Sequence, residues 1–339
     1  ASWLGRIVRW VRKKYFWDEG ARINSLAGIG SYAFELEYLS RETGDPKYAE
    51  ASAAIHRALY RMANSKTPTF LHNSVFLIDD PGQAGSSDNG PLGSGADSFY
   101  EYLLKIPLFL QRSGVENLDK INAHRLQWFR RVEGRMRDHG AHVSRNGLPV
   151  DGRRYTSLLA FVPGWLALGG ESAKLAETMG EACWSLYERS SFKLGPEEAM
   201  VDDRGNVTIV ENTYTLRPEM IESLAVLYHT TGKDVYRQRA KTVLAAIVEQ
   251  CRTAEGLFAG FDMDKKTKID EMHSFVIAET LKYLFILLEP ASSPFSAKNV
   301  FRDFVFTTEA HPLRVGLPLC IGHAVCSKEG HLLLYEKEL

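Results

Sequence analysis

The sequence predicts an all-α protein whose helices form hairpins arranged as a toroid. Apolar residues recur three and four positions apart over long stretches of the 339-residue chain, which is the spacing of amphipathic helices. Two stretches, 35–48 and 222–236, each run a helix into Thr-Gly and place a tyrosine four residues after the glycine. A glycine that closes one helix before another begins is typical of a helical hairpin.

The hairpins recur with a period near 60 residues. Polar residues at or near the starts of alternate helices are separated by 62, 60, 62 and 60 residues; they are Glu35, Asp97, Ser157, Glu219 and Glu279. This period is too long for one solenoid hairpin and suits two helices with a long connecting loop. Because the inner helices of a toroid are roughly parallel, the five side chains would meet at one mouth. The alternative interpretation is five unrelated helix starts, where acidic residues favour the helix dipole.

Other elements follow from local patterns. The segment Trp3–Phe16 has one apolar and one basic face, which favours an outer barrel helix, with a helix on a membrane surface as the alternative. Residues 70–77 and 304–306 are predicted to be short strands in hairpins over the barrel. Residues 79–95 are rich in Gly, Ser and Asp, a composition that predicts a rim loop. A phosphate-binding loop is excluded, because it would need a strand-to-helix glycine motif with a lysine, which is absent. Glycines predict hairpin corners at Gly44, Gly114, Gly170 and Gly232.

Composition excludes several classes of function. The net charge of -1 provides no basic field for nucleic acid or anionic lipid. The longest apolar run, residues 283–288, is too short to span a bilayer, so we expect a soluble chain without a transmembrane segment. Because the first residue is Ala, we expect it to be processed or truncated.

Four cysteines are too few for a disulfide scaffold; they are Cys183, Cys251, Cys320 and Cys326. Free thiols and one bridge between the last two both stay open. Residues 206–208 read Asn-Val-Thr, an N-glycosylation acceptor pattern that fits a secretory protein but also occurs by chance.

Two segments at predicted helix starts carry carboxylates. In GADSFYEYLLK, Asp97 and Glu101 stand four residues apart and hence on one helix face, with aromatic residues beside them. In LRPEMIES, Pro218 suits the first helical turn, which places Glu219 there. Arg217 is then near enough to tune the ionisation of Glu219.

Two further segments lie toward the C-terminus. Phe275 and Glu279 share a helix face, and Thr308, Glu309 and His311 are polar residues in an otherwise apolar stretch. Each segment taken alone also fits helix capping or a solvated face. Four such segments in register with the period favour a shared site, and carboxylates beside aromatics suit a sugar.

GADSFYEYLLK, LRPEMIES, SFVIAETLKYLF and VFTTEAHPL, in this order, resemble the motifs of the family 47 glycoside hydrolases, the class I α-1,2-mannosidases. The resemblance covers residues from about 28 to 313. It implies an (α/α)7 barrel, one calcium ion at its floor and inverting hydrolysis of α-1,2-linked mannose on N-glycans. The ER degradation-enhancing mannosidase-like branch is the most similar, because Ser157 and Ala160 replace the histidine and the Cys183-pairing cysteine of the processing enzymes.

The resemblance implies a role for each matching position. Glu219 would be the general base, and Asp97 would help to orient the attacking water. Phe275 would stack under the mannose ring. Thr308 would bind calcium through its hydroxyl and carbonyl oxygens, with waters and sugar hydroxyls completing the shell. The residues that would hydrogen-bond sugar hydroxyls, waters or one another are Glu35, Glu101, Arg217, Glu222, Glu279 and Glu309.

Two departures from the family pattern stand out. His273 occupies a position that is usually acidic, a change that touches no assigned role. The family's general acid lies upstream of the position of Glu35, in a Glu-Ser/Thr-Thr-Ile-Arg-like stretch that residues 1–30 lack; their only acidic residues are Asp18 and Glu19. Inversion needs an acid and a base on opposite faces of the sugar, with carboxyls about 6.5 to 9.5 Å apart. The sequence therefore names a base and no acid.

We expect three regions: an N-terminal segment at 1–30 without assignment, a partial catalytic domain at 31–313 and a tail at 314–339. At about 61 residues per hairpin, seven hairpins need roughly 430 residues, so we expect the barrel to lack its first one or two.

The predicted function is a calcium-dependent mannosidase of the ER lumen that acts on high-mannose N-glycans of misfolded glycoproteins. An oxidoreductase partner is implied by the resemblance alone. Because the acid is absent, a non-catalytic mannose-binding module stays open, as does a structural toroid with neither activity.

Overall fold

The computed structural model describes residues 23–64, 70–71, 74–76, 86–87, 92–110 and 116–315. Several predictions lie outside these residues. They are the amphipathic segment Trp3–Phe16, the corner at Gly114, the pairing of Cys320 with Cys326, and most of the rim loop. Among the described cysteines, Cys183 and Cys251 are buried free thiols.

Eleven α-helices lie in the described residues, and ten of them form five consecutive hairpins. The helices are α1 (Leu26–Gly30), α2 (Tyr32–Thr43), α3 (Lys47–Asn64), α4 (Asp97–Leu110), α5 (Glu116–His139), α6 (Val162–Gly169), α7 (Ala173–Arg189), α8 (Glu219–Thr231), α9 (Val235–Ala246), α10 (Lys282–Leu288) and α11 (Ala297–Asp303). A 3-10 turn at Ser157–Phe161 leads into α6, and π turns at Ile247–Cys251 and Val276–Leu281 follow α9 and precede α10.

The hairpins are arranged as the period predicts. Helices α2, α4, α6, α8 and α10 pack in succession as an inner layer, and each packs against the following helix of its hairpin. Gly44, Gly170 and Gly232 have φ angles of 69°, 82° and 71°, the left-handed conformation that glycine adopts without steric cost. The predicted helical toroid and these three corners are therefore confirmed.

Four of the five periodic polar residues lie at the starts of inner elements. Glu35 is in the first turn of α2, while Asp97 and Glu219 are the first residues of α4 and α8. Ser157 begins the 3-10 turn before α6. Glu279 differs, because it lies within the π turn that precedes α10. Such turns are rare and frequently occur at functional sites.

Short antiparallel strands fill the connections between hairpins. They are β1 (Ile23–Ser25), β2 (Phe70–Leu71), β3 (Ser74–Phe76), β4 (Ser86–Ser87), β5 (Arg154–Thr156), β6 (Glu198–Val201), β7 (Val207–Glu211), β8 (Thr213–Tyr214), β9 (Gly260–Asp262), β10 (Thr267–Ile269), β11 (Phe304–Phe306) and β12 (Pro312–Arg314). The sheets have the orders β1-β3, β2-β4, β5-β6-β7, β8-β9-β10 and β11-β12.

The strand predictions have two outcomes. Residues 304–306 pair with 312–314 in a hairpin, as predicted. Residues 70–77 instead hold two strands that pair separately, β2 with β4 and β3 with β1. Their backbone groups are thus satisfied by other loops and not by each other.

The apolar core lies between the inner and the outer helices. The largest side chains buried in the main core include Trp128, Tyr100 and Phe129, and a second cluster forms around Phe34 and Phe109. In the described part of the chain, each helix is too short or too polar to cross a bilayer. The polar starts of the inner helices are left to form the site.

Candidate active site

A buried lysine pairs with two carboxylates from different inner helices. Lys105 Nζ contacts Glu101 Oε1 on α4 and lies 3.0 Å from Glu222 Oε1 on α8. The hydroxyl of Tyr283 is 3.3 Å from the same Glu222 oxygen. Lys105 and Glu101 are only 3% and 5% exposed, so water cannot screen their charges. The structure thus brings the predicted residues Glu101 and Glu222 together around a cation.

Two carboxyl groups in and beside this cluster have raised pKa values. Burial raises the pKa of Glu101 to about 7, against the attraction of Lys105. Burial also raises the pKa of Glu279 to about 8, and the charges of Glu309, Glu222 and Glu101 add to the effect. The cluster therefore favours protons or an added cation.

Glu219 lies at the first position of α8 beside Arg217. Burial raises the pKa of Glu219 well above its usual range, while the charge of Arg217 acts in the opposite direction. The Oε2 atom of Glu219 is buried and has no hydrogen-bond partner. The predicted influence of Arg217 on the ionisation of Glu219 is thus present, and one carboxylate oxygen is free to accept a proton.

Glu197 is a site residue that the sequence patterns did not reveal. Its Oε2 accepts hydrogen bonds from Ser157 Oγ at 2.6 Å and Arg217 Nε at 2.9 Å, and its Oε1 accepts from the hydroxyl and backbone N–H of Thr215. Glu197 lies in the loop before β6, outside the 60-residue period. Only its side-chain contacts show that it belongs to the site.

Asp97 faces the same charged region from the start of α4. Its Oδ1 accepts a hydrogen bond from Ser98 N at 2.8 Å. Burial raises its pKa, the charge of Asp151 raises it further, and Arg217 lowers it. Arg217 is thus the common charged neighbour of Asp97 and Glu219.

Phe275 has a neighbour that the sequence analysis did not anticipate. The ring of His273 stacks on the ring of Phe275, with centroids 4.9 Å apart and planes 21° from parallel. The guanidinium carbon of Arg217 lies 5.6 Å from the Phe275 centroid. His273 therefore covers one face of the predicted sugar platform, a contact that its position before Ser-Phe did not indicate.

Thr308 lies in the turn between β11 and β12, held by residues of α4 and α10. Its backbone N–H donates to Tyr102 Oη at 3.0 Å, and its Oγ1 lies 3.0 Å from Ser98 Oγ. Lys282 Nζ donates to the carbonyl oxygen of Ala310 at 2.8 Å. The turn is thereby fixed against the inner helices.

Glu35 lies farther out than the other predicted residues. It is exposed, and its charged neighbours are Glu309, which is also exposed, and His311 from the β11–β12 turn. Glu309 is a charged neighbour of both Glu35 and Glu279, so it links these two residues indirectly. Glu35 thus joins the edge of the site and not its buried part.

No cage of ligating side chains is present in the described ranges. Within them, no group of three or more His, Cys, Asp or Glu residues is placed to hold a metal ion. Thr308 nevertheless offers hard oxygen donors near the carboxylate cluster, and calcium takes oxygen ligands, including water. The donor chemistry therefore fits a calcium ion held by Thr308 and by water molecules.

Similarity to solved structures identifies the class of fold. The α-1,2-mannosidase from Trichoderma reesei, an (α/α)7 barrel, superposes with a TM-score of 0.72 at 24% identity, covering 88% of this chain and 67% of that one. A D-mannose isomerase superposes with a TM-score of 0.57 at 12% identity, covering 90% and 84%. At these identities the likeness shows the fold alone.

The family is shown by the sequence as a whole. The model of glycosyl hydrolase family 47 matches residues 6–315, and the chain belongs to this family. It is 29% identical over 309 residues to the mannosyl-oligosaccharide 1,2-alpha-mannosidase MNS1 of Arabidopsis thaliana, covering 86% of this chain and 52% of that protein. It is 32% identical over 314 residues to mannosyl-oligosaccharide 1,2-alpha-mannosidase IB of Mus musculus, covering 86% and 46%. The chain thus spans about half the length of these curated relatives.

Proposed function

We propose that the chain is the site-bearing part of an inverting α-1,2-mannosidase that acts on high-mannose N-glycans. The observation that carries the proposal is the buried carboxylate of Glu219, which keeps Oε2 unpartnered beside Arg217. An acceptor oxygen in a buried site is what a general base requires. Family membership and the printed activities of the relatives support the same reaction.

The proposed reaction begins with a water molecule between Glu219 and Asp97. Glu219 removes a proton from this water, and the water oxygen attacks the anomeric carbon of mannose. The glycosidic bond breaks on the opposite face, where the leaving oxygen takes a proton from a general acid. No described residue is assigned as that acid.

Arg217 is central to the ionisation that this reaction needs. A base must be deprotonated, and burial raises the pKa of Glu219 well above its usual range. The charge of Arg217 opposes this effect on Glu219 and on Asp97. Its bond to Glu197 holds the guanidinium in place.

The remaining residues would hold the sugar. Phe275 provides an apolar ring face for mannose, and the carboxylates at the mouth accept hydrogen bonds from hydroxyls; these are Glu35, Glu101, Glu222, Glu279 and Glu309. A calcium ion held through Thr308 would supply positive charge to this cluster and would coordinate sugar hydroxyls when bound.

The finer part of the proposal concerns the branch of the family and the cellular compartment. We propose the ER lumen and a role in quality control of misfolded glycoproteins, because Ser157 and Ala160 depart from the processing enzymes. Ser157 also makes a contact within the site, since its hydroxyl donates a hydrogen bond to Glu197. An oxidoreductase partner belongs to the same proposal and rests on the resemblance alone.

The test compares wild type, Glu219→Gln and the surface control Glu255→Gln. Mannose release from a high-mannose glycan is measured in the presence of calcium, and glycan binding is measured separately. We expect Glu219→Gln to abolish release while binding survives, and Glu255→Gln to behave as wild type. Activity of Glu219→Gln within about tenfold of wild type contradicts the role of Glu219.

The same assay separates the enzyme from the binding module. Binding without release by the wild-type chain contradicts an enzymatic function for this chain and supports a mannose-binding module. Neither binding nor release contradicts both and supports a structural toroid.

A further inference from the structure

A carboxylate outside the predicted site grips the turn that leads into α4. Leu92 N donates to Asp151 Oδ1 at 2.8 Å, and Gly93 N donates to Asp151 Oδ2 at 3.0 Å. Hydrogen bonds to an ionised carboxylate are stronger than neutral ones, and two parallel bonds fix its orientation. The turn is therefore anchored by a loop 58 residues farther along the chain.

The anchored turn also carries the backbone of Asp97. The carbonyl oxygen of Gly93 accepts hydrogen bonds from Ala96 N at 2.9 Å and Asp97 N at 3.0 Å. Gly93 thus binds Asp151 through its N–H and Asp97 through its carbonyl. A shift of this residue would move the start of α4 and the Asp97 carboxylate with it.

Asp151 is itself held on several sides. His142 Nδ1 lies 3.1 Å from Asp151 Oδ1 and 3.0 Å from the carbonyl oxygen of Val150. Both of these atoms are acceptors, so Nδ1 carries the hydrogen. The backbone of Asp151 pairs in both directions with Arg154, at 2.8 Å and 3.0 Å.

The imidazole of His142 has little freedom to move. It is buried, and its ring centroid lies 4.4 Å from that of Phe70. The two polar contacts of Nδ1, with Asp151 Oδ1 and the Val150 carbonyl oxygen, and the aromatic contact with Phe70 together hold the His142 ring in place. The acceptor oxygens of Asp151 are therefore held in one place before any substrate binds.

Gly93 shows how closely the carboxylate approaches the turn. A Cβ atom at this position would lie 2.9 Å from Asp151 Oδ2, which is closer than such atoms are found. The absence of a Cβ atom at Gly93 thus leaves room for the carboxylate to reach both amides. The contact is thus built into both partners.

We infer that Asp151, oriented by His142, is a positioning residue that holds the Asp97 carboxylate where the proposed reaction uses it. The two hydrogen bonds from Leu92 N and Gly93 N to Asp151 are called the clamp, and its existence rests on the observed distances alone. The importance of Asp97 rests on the proposed function. A misplacement of about 1 Å at a reacting group can cost about a hundredfold in rate. The clamp therefore has a predictable effect on kcat.

The test uses Asp151→Ala and Asp151→Asn in the full chain. The matched control is Asp203→Asn, because Asp203, between β6 and β7, pairs with Arg153 at the surface. Hydrogen exchange of the Leu92, Gly93 and Asp97 amides is followed in each protein. We expect the fastest exchange in Asp151→Ala, an intermediate rate in Asp151→Asn, which keeps one acceptor oxygen, and no change in the control.

Kinetics on an α-1,2-linked mannose disaccharide give the second readout. We expect kcat to fall about 10- to 100-fold in Asp151→Ala, with partial recovery in Asp151→Asn and KM within about threefold. If Asp151 had a merely structural role, its loss would lower the amount of folded protein, and the folded fraction would keep its kcat. If Asp151→Ala fails to fold, Asp151→Asn decides.

Three outcomes overturn the inference or separate it from the proposed function. Unchanged exchange in both variants overturns the clamp. Faster exchange with unchanged kcat overturns the positioning role. If wild type releases no mannose, the proposed function fails and the positioning role fails with it, whereas the exchange rates alone still decide the clamp.

Discussion

Arg217 donates its Nε–H to Glu197 Oε2 across 2.9 Å, and this pair stands beside the buried carboxyl of Glu219. Both partners come from the long connection between α7 and α8, Glu197 from the loop before β6 and Arg217 from the residues directly before α8. Their contact holds a cation next to a group whose pKa burial raises. Arg217 thus opposes the effect of burial on the pKa of Glu219.

Arg217→Met is expected to shift the pH dependence of kcat/KM. Loss of the guanidinium removes a charge that lowers the pKa of Glu219, so this pKa rises further. Because the base acts when ionised, the acid limb of the profile moves to higher pH. Arg153→Met, which breaks a surface pair with Asp203, serves as the control. An acid limb that stays in place contradicts Glu219 as the base.

His273→Ala and Phe275→Ala are expected to change KM in opposite directions. His273 covers one face of the Phe275 ring, so its removal exposes the platform and lowers KM. Loss of Phe275 removes the stacking surface and raises KM about tenfold, which corresponds to about 1.4 kcal/mol. Phe295→Ala, at an exposed aromatic residue, is the control. An increase of KM in both variants would show that the stacked pair acts as one unit.

Thr308→Val is expected to reduce stabilisation by calcium. An ion at a hundred times its Kd stabilises the folded state by about 2.7 kcal/mol, or roughly 5 °C in Tm for a chain of this size. Valine keeps the shape and removes the hydroxyl donor. The control is Thr267→Val at an exposed strand position. A calcium-dependent rise in Tm that is equal in the two variants would exclude the Thr308 hydroxyl as a ligand.

Glu279→Gln is expected to stabilise the calcium-free protein most at alkaline pH. The carboxyl ionises near 4.5 in the unfolded chain and near 8 in the folded one, so its contribution to stability falls as pH rises between these values. Glutamine removes this loss. The Tm of the variant minus that of wild type is therefore expected to grow from pH 5 to pH 8. Glu249→Gln, at an exposed position, serves as the control.

Arg125→Met is expected to lower the free energy of unfolding by about 3 to 5 kcal/mol, because it leaves a buried carboxylate unpaired. Arg125 Nη2 lies 2.7 Å from Glu37 Oε1, and both side chains are almost fully buried. Arg302→Met, from an exposed pair with Asp303, should cost less than about 1 kcal/mol. Urea unfolding of the two variants checks the difference, and equal losses would contradict a special role for burial.

Local signals account for the parts of the fold that the sequence predicted well. Gly44, Gly170 and Gly232 end helices because a residue in the left-handed conformation is needed there. This requirement involves only residues that are close in sequence, so a local pattern reveals it. Glu219 begins α8 directly after Pro218, which has the fixed φ of a first turn. The period then follows from repetition of such signals.

The candidate site was predicted less completely. Glu219 and Glu279 could be named because they recur with the period, Glu101 because it stands four residues after Asp97, and Glu222 because its motif resembles that of the family. Glu197 could not, since it lies in a loop with no periodic signal. The stacking of His273 on Phe275 was likewise invisible, because neighbours on either side of a helix start do not reveal where their rings point.

The sequence by itself determined the helical toroid, three of its corners and the helix starts that face the mouth, since these depend on residues close in the chain. Only the tertiary structure decided which charges share one environment. Lys105 meets Glu222 across 117 positions, and Asp151 grips Gly93 across 58. Such contacts depend on packing between hairpins, and burial then sets their electrostatic strength, which no local pattern encodes.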